Sequence, residues 1–201
     1  MNIALFGTSA DPPSIGHRAV IRWLAEHFDR VAIWASDNPF KTDRTPLEHR
    51  TEMLALMVES LRSGQDGAPC HNVECRPDLS HMRSIISVQR AQALWPEAEL
   101  TFAIGSDLIT QLPSWYRAAD LLRECSLIAI PRPGYPIDRD ALATLRSWGT
   151  VTIAEVEGPP ISSSAYRQTL DTAVIPAPIA AYIERRNLYE FPAPQSVGSR
   201  L

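Results

Sequence analysis

The sequence contains little cysteine, and what it has forms no recognisable metal or disulfide pattern. The three cysteines, Cys70, Cys75 and Cys125, are odd in number and follow neither C-x-x-C nor a zinc-ribbon spacing. We therefore expect reduced thiols. Cys70 and Cys75 with His71 and His81 could be drawn as a metal cluster, but strand and loop positions are the stronger interpretation, and no structural zinc is predicted.

Positive charge and long apolar runs are also scarce. The chain has 19 basic and 23 acidic residues, a formal net charge of -4, and no run of Lys or Arg that would follow a phosphate backbone. No apolar run approaches the roughly 20 residues that span a bilayer. The N-terminal MNIALFG lacks the basic region of a signal peptide and is too short to supply its apolar part. We expect a cytoplasmic protein with neither nucleic acid nor a membrane as a partner.

Two familiar phosphate-binding loops are missing as well. The sequence has no G-x-G-x-x-G after its first apolar segment and no G-x-x-x-x-G-K-[ST] anywhere. Hydride chemistry on a dinucleotide and P-loop hydrolysis therefore both lose support.

What the sequence does contain is an alternation of short apolar segments and amphipathic segments. With 201 residues and 45% hydrophobic content, it is long enough to bury the core of one domain. Strands are predicted at 2–6, 30–36, 71–77, 99–107, 126–135 and 150–156, and helices from 16, from about 47, at 82–94 and 118–123, from about 162, and at 179–186. This pattern indicates an α/β fold with a parallel sheet flanked by helices. We assign 1–191 to one domain and 192–201 to an unpacked tail.

The first loop, GTSADPPSIGH, is stiffened by two prolines and leads into a helix through Gly16 and His17. A helix start offers free N–H groups and a positive dipole end, and glycine lets an anion approach the backbone. This loop therefore predicts a phosphate site with His17 as a side-chain donor. A purely local role, in which His17 hydrogen-bonds within the turn, is equally compatible with the loop alone.

A second polar helix start lies near the other end of the chain. Ser162, Ser163 and Ser164 precede Arg167 by about one turn, so the guanidinium could fork onto phosphate oxygens. A capped helix with a surface arginine is the alternative. Because both helix starts follow strands of one predicted parallel sheet, they can face the same crevice and bind one polyphosphate.

Together these segments resemble the nicotinate/nicotinamide mononucleotide adenylyltransferases of the nucleotidyltransferase superfamily. The family has G-[GT]-[ST]-F-D-P-x-H-x-G-H after its first strand and I-S-S-T-x-I-R late in the chain, where this sequence reads GTSADPPSIGH and ISSSAYR. DNPFKT resembles the N-P-P-H-K segment, which gives Lys41 the place of the family's lysine. LEHRTEMLALM with Arg50, IGSDLITQLPSW and IPRPGY resemble further segments, in order along the chain.

The resemblance implies a Rossmann-like sheet of the nucleotidyltransferase type and transfer of AMP from ATP to nicotinate mononucleotide, with nicotinamide mononucleotide as the alternative acceptor. It implies that His17 stabilises the transition-state phosphates, that Lys41 and Arg167 hold polyphosphate, and that Mg²⁺ accompanies ATP, held mainly by water and substrate. The implied phosphate-binding set is Gly7, Thr8, Ser14, Gly16, His17, Ser162, Ser163 and Arg167. The implied set at the nucleotide and pyridine is Gly105, Ser106, Asp107, Trp115 and Arg132, with Trp115 stacking on the ring or, alternatively, only packing at the surface.

The chain departs from the family at three points, one of which is Ala10 in place of the aromatic residue of the signature loop. Ser14 replaces the first histidine of the signature, so a neutral hydroxyl is expected to face phosphate there. The S-Y-T-x-D-T segment is replaced by DLSHMRSIIS. A related cytidylyltransferase or pantetheine-phosphate adenylyltransferase, and a catalytically weakened nucleotide-binding protein, remain alternatives, and self-association is left open.

Overall fold

The computed structural model describes residues 1–37, 44–65, 67–156, 161 and 163–189, and it confirms the predicted α/β fold. Six parallel strands form one sheet in the order β3-β2-β1-β4-β5-β6. They are β1 Asn2–Thr8, β2 Arg30–Ala35, β3 Val73–Cys75, β4 Glu99–Gly105, β5 Ser126–Ile130 and β6 Val151–Ile153. This is the strand order of a Rossmann-like sheet.

Seven α-helices lie among the described residues: α1 Ile15–His27, α2 Leu47–Ser63, α3 Ser84–Leu94, α4 Ala118–Glu124, α5 Arg139–Trp148, α6 Ser163–Thr169 and α7 Ala177–Arg186. Six correspond to predicted helices, although α3 begins two residues later than expected. Helix α5 was not predicted from the sequence. Its N-cap residue is Asp138, whose side chain accepts hydrogen bonds from the N–H groups of Asp140 and Ala141. In the described part of the chain, no helix has the length and apolar character needed to cross a membrane. The predicted tail, 192–201, lies outside the described residues.

Alternate residues of the four inner strands, β1, β2, β4 and β5, enter two separate cores. Along β1, Ala4 and Phe6 pack with α1, α2 and α7, whereas Ile3 and Leu5 pack with α3, α4 and α5. All four side chains are at most 8% exposed. Because both faces of the strands are buried, the strands are continuous apolar runs instead of alternating apolar and polar residues.

The strand order changes direction between β1 and β4, which are direct neighbours in register from Asn2 opposite Glu99 to Leu5 opposite Phe102. From β1 the sheet grows outward through β2 and β3, and from β4 through β5 and β6. Ligands of open parallel sheets bind beyond the carboxyl ends of the strands at such a point. Thr8 and Gly105 end the two strands there.

Candidate active site

An open cleft of about 1370 Å³ lies at this switch point. Its walls come from the loop after β1, the start of α1, the ends of β4 and β5, and α6. Typical small-molecule pockets enclose roughly 300–1,000 Å³, so this cleft has room for more than one nucleotide-sized ligand. Of the predicted site residues, those on its wall are Gly7, Thr8, Ser14, Gly16, His17, Gly105, Asp107, Trp115, Arg132, Ser163 and Arg167.

The loop after β1 brings Ser14 and His17 into direct contact at the start of α1. Ser14 is the N-cap residue, and His17 is the third residue of the helix. The backbone N–H of Ser14 donates to Nδ1 of His17 at 3.1 Å, and the Ser14 hydroxyl oxygen lies 2.9 Å from the same nitrogen. The Ser14 side chain is only 1% exposed. Its hydroxyl is therefore engaged with His17.

These contacts determine the state of the His17 ring. A backbone N–H can only donate, so Nδ1 must accept and the neutral ring carries its proton on Nε2. Burial, together with the positive charge of Arg132, lowers the pKa of His17 from 6.5 to about 4. At neutral pH, His17 is thus an uncharged hydrogen-bond donor on the cleft wall.

The two predicted phosphate segments meet at the cleft, through residue pairs that lie 151 and 156 positions apart in sequence. The hydroxyl of Ser163 in α6 donates to the carbonyl of Pro12 at 2.8 Å. Arg167 donates through Nη1 to the carbonyl of Asp11 and through Nη2 to the Ser164 hydroxyl at 3.3 Å. The expectation that both segments face one crevice is confirmed.

Arg167 belongs to a cluster of three arginines around one carboxylate. Asp11 is 1% exposed, and its Oδ2 lies 3.8 Å from Nη1 of Arg167. Burial and the charges of Arg50 and Arg167 lower the pKa of Arg44, while Asp11 acts in the opposite direction. Positive charge therefore exceeds negative charge at this end of the cleft, which suits a polyphosphate.

Arg44 and Arg50 have different tasks within this cluster. Arg44 lines the cleft, donates through Nη2 to the Ser9 hydroxyl at 2.8 Å, and keeps a buried Nη1 without a hydrogen-bond partner among the described residues. Arg50 is 4% exposed and donates to the carbonyls of Thr45, Ser9 and Ser36, each at 2.9 Å. Through these hydrogen bonds, Arg50 connects the loop after β1 with the end of β2 and with the start of α2.

Asp11 is held from the opposite side by Tyr189, whose hydroxyl donates to Oδ1 at 2.6 Å across 178 residues of sequence. Burial and this hydrogen bond raise the pKa of Tyr189, so the phenol keeps its proton. The sequence analysis assigned no role to Asp11, Arg44, Arg50 or Tyr189. No local pattern links them, because their contacts form only when distant segments pack together.

The opposite wall follows β4 and β5. Nη1 of Arg132 forms a 2.9 Å ion pair with Oδ2 of Asp107. Ser106 is not among the described residues that line the cleft, and its side chain is buried, with 3% of the residue exposed. Its hydroxyl accepts from the N–H of Arg132 at 3.0 Å and donates to the carbonyl of Tyr135 at 3.2 Å. Ser106 therefore supports the loop that carries Arg132, and its contact with the nucleotide stays a prediction.

Aromatic side chains line the end of the cleft near α3. Trp115 is partly buried against the second core and also lines the cleft, so its placement is compatible with both interpretations of this residue. The guanidinium carbon of Arg83 lies 3.8 Å from the ring centroid of Tyr116. Arg83 and Tyr116 also line the cleft, and the sequence analysis missed both as site residues.

Two predicted site residues, Lys41 and Ser162, lie outside the described residues. In the described ranges, no group of three or more His, Cys, Asp or Glu side chains is arranged to hold a metal ion.

The lowered pKa of His17 predicts a loss of stability in mildly acidic solution. The unfolded chain binds this proton near pH 6.5, whereas the folded protein binds it near pH 4. Between these values the unfolded state holds more protons, so the free energy of unfolding decreases as the pH falls. Chemical denaturation at pH 7 and pH 5 measures this change. The His17→Gln variant should lose less stability than the wild type, and equal losses would contradict the assignment.

Comparison with known proteins agrees with this geometry. Residues 5–169 match the cytidylyltransferase-like family. A probable nicotinate-nucleotide adenylyltransferase of Synechocystis is 45% identical over 94% of this chain and 99% of its own length. A protein of the same name from Gloeobacter violaceus is 30% identical over 95% of this chain and 97% of its own.

The fold also matches a solved structure. Plasmodium falciparum nicotinic acid mononucleotide adenylyltransferase, complexed with NaAD, superposes with a TM-score of 0.77 at 20% identity, covering 95% of this chain and 98% of that one. At this identity the likeness concerns the fold, while the sequence matches define the family. The chain therefore belongs to the cytidylyltransferase-like family and, within it, to the nicotinate-nucleotide adenylyltransferases.

Proposed function

We propose that this protein transfers AMP from ATP to nicotinate mononucleotide, forming the dinucleotide and pyrophosphate in NAD biosynthesis. One observation carries the proposal: the His17 loop and the Arg167 helix meet at one cleft in a chain 45% identical to a probable nicotinate-nucleotide adenylyltransferase. At about 1370 Å³, the cleft has room for both substrates.

The chemistry requires alignment and charge stabilisation more than a protein nucleophile. An oxygen of the mononucleotide phosphate attacks the α-phosphorus of ATP, a new P–O bond forms, and the bond to the β-phosphate breaks to release pyrophosphate. Nε2–H of His17 is suited to donate to phosphate oxygens as charge develops on them. Arg167 and Arg44 supply positive charge beside the leaving group.

The remaining predicted roles rest on the family resemblance. Lys41 would bind the polyphosphate together with Arg167. Ser162 and Ser163 would supply hydrogen-bond donors at the start of α6. Asp107 and Arg132 would lie against the nucleotide, and Trp115 would stack on the pyridine ring.

Mg²⁺ is proposed as part of the Mg–ATP substrate, because the described residues form no metal cage of their own. When bound, it neutralises phosphate charge. All three cysteines are free and two are buried, which suits a reducing compartment, so we propose that the enzyme acts in the cytoplasm.

A product assay tests the function. The purified protein is incubated with ATP, magnesium and either nicotinate or nicotinamide mononucleotide, and dinucleotide and pyrophosphate are quantified together. We expect both products in equal amounts, with nicotinate mononucleotide preferred. Parallel reactions with CTP and with pantetheine phosphate are the controls. Turnover only in a control reaction would assign another nucleotidyltransfer, and ATP binding without any turnover would indicate a nucleotide-binding protein.

ATP use should require arginine at position 167, so that lysine cannot fully replace it. Arg167→Lys keeps the charge but loses the forked guanidinium that reaches the Asp11 carbonyl and the Ser164 hydroxyl together. We expect a KM for ATP raised by about tenfold, since hydrogen bonds to charged groups contribute roughly 1.5–3 kcal/mol. Arg167→Ala should be worse. Steady-state kinetics measure both, with Arg139→Lys at the exposed start of α5 as the control. Unchanged ATP kinetics in both variants would make Arg167 an ordinary surface residue.

A further inference from the structure

We infer that Ser14 is a positioning residue, which acts on the reaction through His17 and makes no contact of its own with phosphate. Its backbone N–H and hydroxyl together hold Nδ1 of His17, which leaves Nε2–H as the donor available to the substrate. The effect on AMP transfer rests on the proposed function, whereas the state of the His17 ring does not.

Among the described residues, the Ser14 hydroxyl is directed at His17, facing its backbone N–H in the capping box and its ring nitrogen Nδ1. Its oxygen lies 2.9 Å from Nδ1 of His17, and the Ser14 N–H donates to the same nitrogen at 3.1 Å. Because the backbone N–H requires Nδ1 to be an acceptor, the hydroxyl also donates to it. A hydroxyl has one proton, so it cannot donate to a phosphate oxygen at the same time.

Burial supports the same assignment. Both residues line the cleft, but Ser14 is only 1% exposed, whereas His17 retains partial exposure there. The lowered pKa of His17 is consistent with a ring that stays neutral while Nδ1 accepts. A residue three positions before the histidine thus determines which ring nitrogen carries the proton, through a reciprocal contact at the first turn of α1.

The direct test is nuclear magnetic resonance of protein labelled with ¹⁵N-histidine, without substrates. The His17 signals are assigned by comparison with His17→Gln, and chemical shifts identify the protonated nitrogen. We expect a single neutral form at pH 7 with its proton on Nε2. Ser14→Ala should shift the Nδ1 resonance, because that nitrogen loses one of two donors. A proton on Nδ1, or a charged ring at pH 7, would overturn the inference whether or not the protein transfers AMP.

Two variants separate positioning from general damage to the loop. Ser14→Thr keeps the hydroxyl and should preserve the wild-type His17 signals. Ser163→Ala also removes a loop hydroxyl bond, the one to the Pro12 carbonyl, but leaves His17 untouched. In Ser163→Ala, the Nδ1 resonance of His17 should therefore match that of the wild type. A shift in Ser163→Ala as large as that in Ser14→Ala would mean that the loop merely relaxes.

Kinetics then distinguish an indirect role from a direct one. We expect Ser14→Ala to lower kcat roughly three- to tenfold, the range for one hydrogen bond, while KM for ATP changes by less than about twofold. Ser14→Thr should restore most of kcat. Because Ser14 also caps α1, thermal unfolding of each variant sets an assay temperature at which all are folded. A raised KM for ATP with unchanged kcat would show that Ser14 binds phosphate directly and would overturn the inference.

Discussion

His17→Ala should lower kcat for AMP transfer by about 10²–10³-fold while the protein remains folded. Removing one preorganised donor from a transition-state site typically costs this much. The structure strengthens the expectation, because Nδ1 is fixed by Ser14 and the ring cannot rotate without losing that contact.

The measurement is single-turnover formation of the dinucleotide at saturating substrates, with circular dichroism to establish folding. His17→Gln is the matched variant, since its amide is an uncharged donor near the position of Nε2. It should retain more activity than alanine if the wild-type ring works in its neutral form. A folded His17→Ala protein with wild-type kcat would falsify the assignment of His17 to the reaction.

Arg50→Ala should have the largest effect on stability, about 3–5 kcal/mol in the free energy of unfolding. The guanidinium is 4% exposed and satisfies three backbone carbonyls from three separate segments, those of Ser9, Ser36 and Thr45. Alanine leaves these carbonyls without their donor and opens a cavity, and each buried unsatisfied group costs roughly 1–3 kcal/mol. The loop after β1 then loses its attachment to β2 and α2.

Denaturant unfolding of Arg50→Ala and Arg50→Lys measures this effect. Lysine cannot reach three carbonyls in the planar arrangement of arginine, so it should recover only part of the stability. Arg90→Ala is the control: Arg90 also donates to two carbonyls, those of Asp78 and Ser80, but it is exposed, and water can replace it. We expect Arg90→Ala to cost no more than about 1 kcal/mol. Equal losses of stability in Arg50→Ala and Arg90→Ala would show that the burial of Arg50 does not explain its contribution.

The position of α5 shows how local information can be present and still overlooked. Asp138 followed by Leu142 and Leu145 is a capped start with apolar residues three apart, which predicts a helix. The strand predicted before it ran through IPRPGY to Tyr135, whereas β5 ends at Ile130. Proline removes backbone donors, so the pairing could not continue through it.

Ser14 and Ser106 show what a motif cannot decide. Each was assigned a ligand contact because it occupies a position in a family pattern. In the structure each hydroxyl contacts a neighbouring residue of the predicted site, His17 in one case and the backbone of Arg132 in the other. A sequence pattern gives the residue type at a position, but the direction of a short hydroxyl depends on which partner packing brings within about 3 Å.

The sequence by itself determined the alternation of strands and helices, the parallel sheet, and the two segments that meet at the cleft, because apolar periodicity and loop motifs are local properties of the chain. Only the tertiary structure decided which polar groups satisfy one another there. The contacts of Asp11 with Tyr189 and Arg167, and of Arg50 with Ser9, join residues 41 to 178 positions apart. Such contacts leave no periodic trace in the sequence, since they depend on how the packed sheet brings its loop ends together.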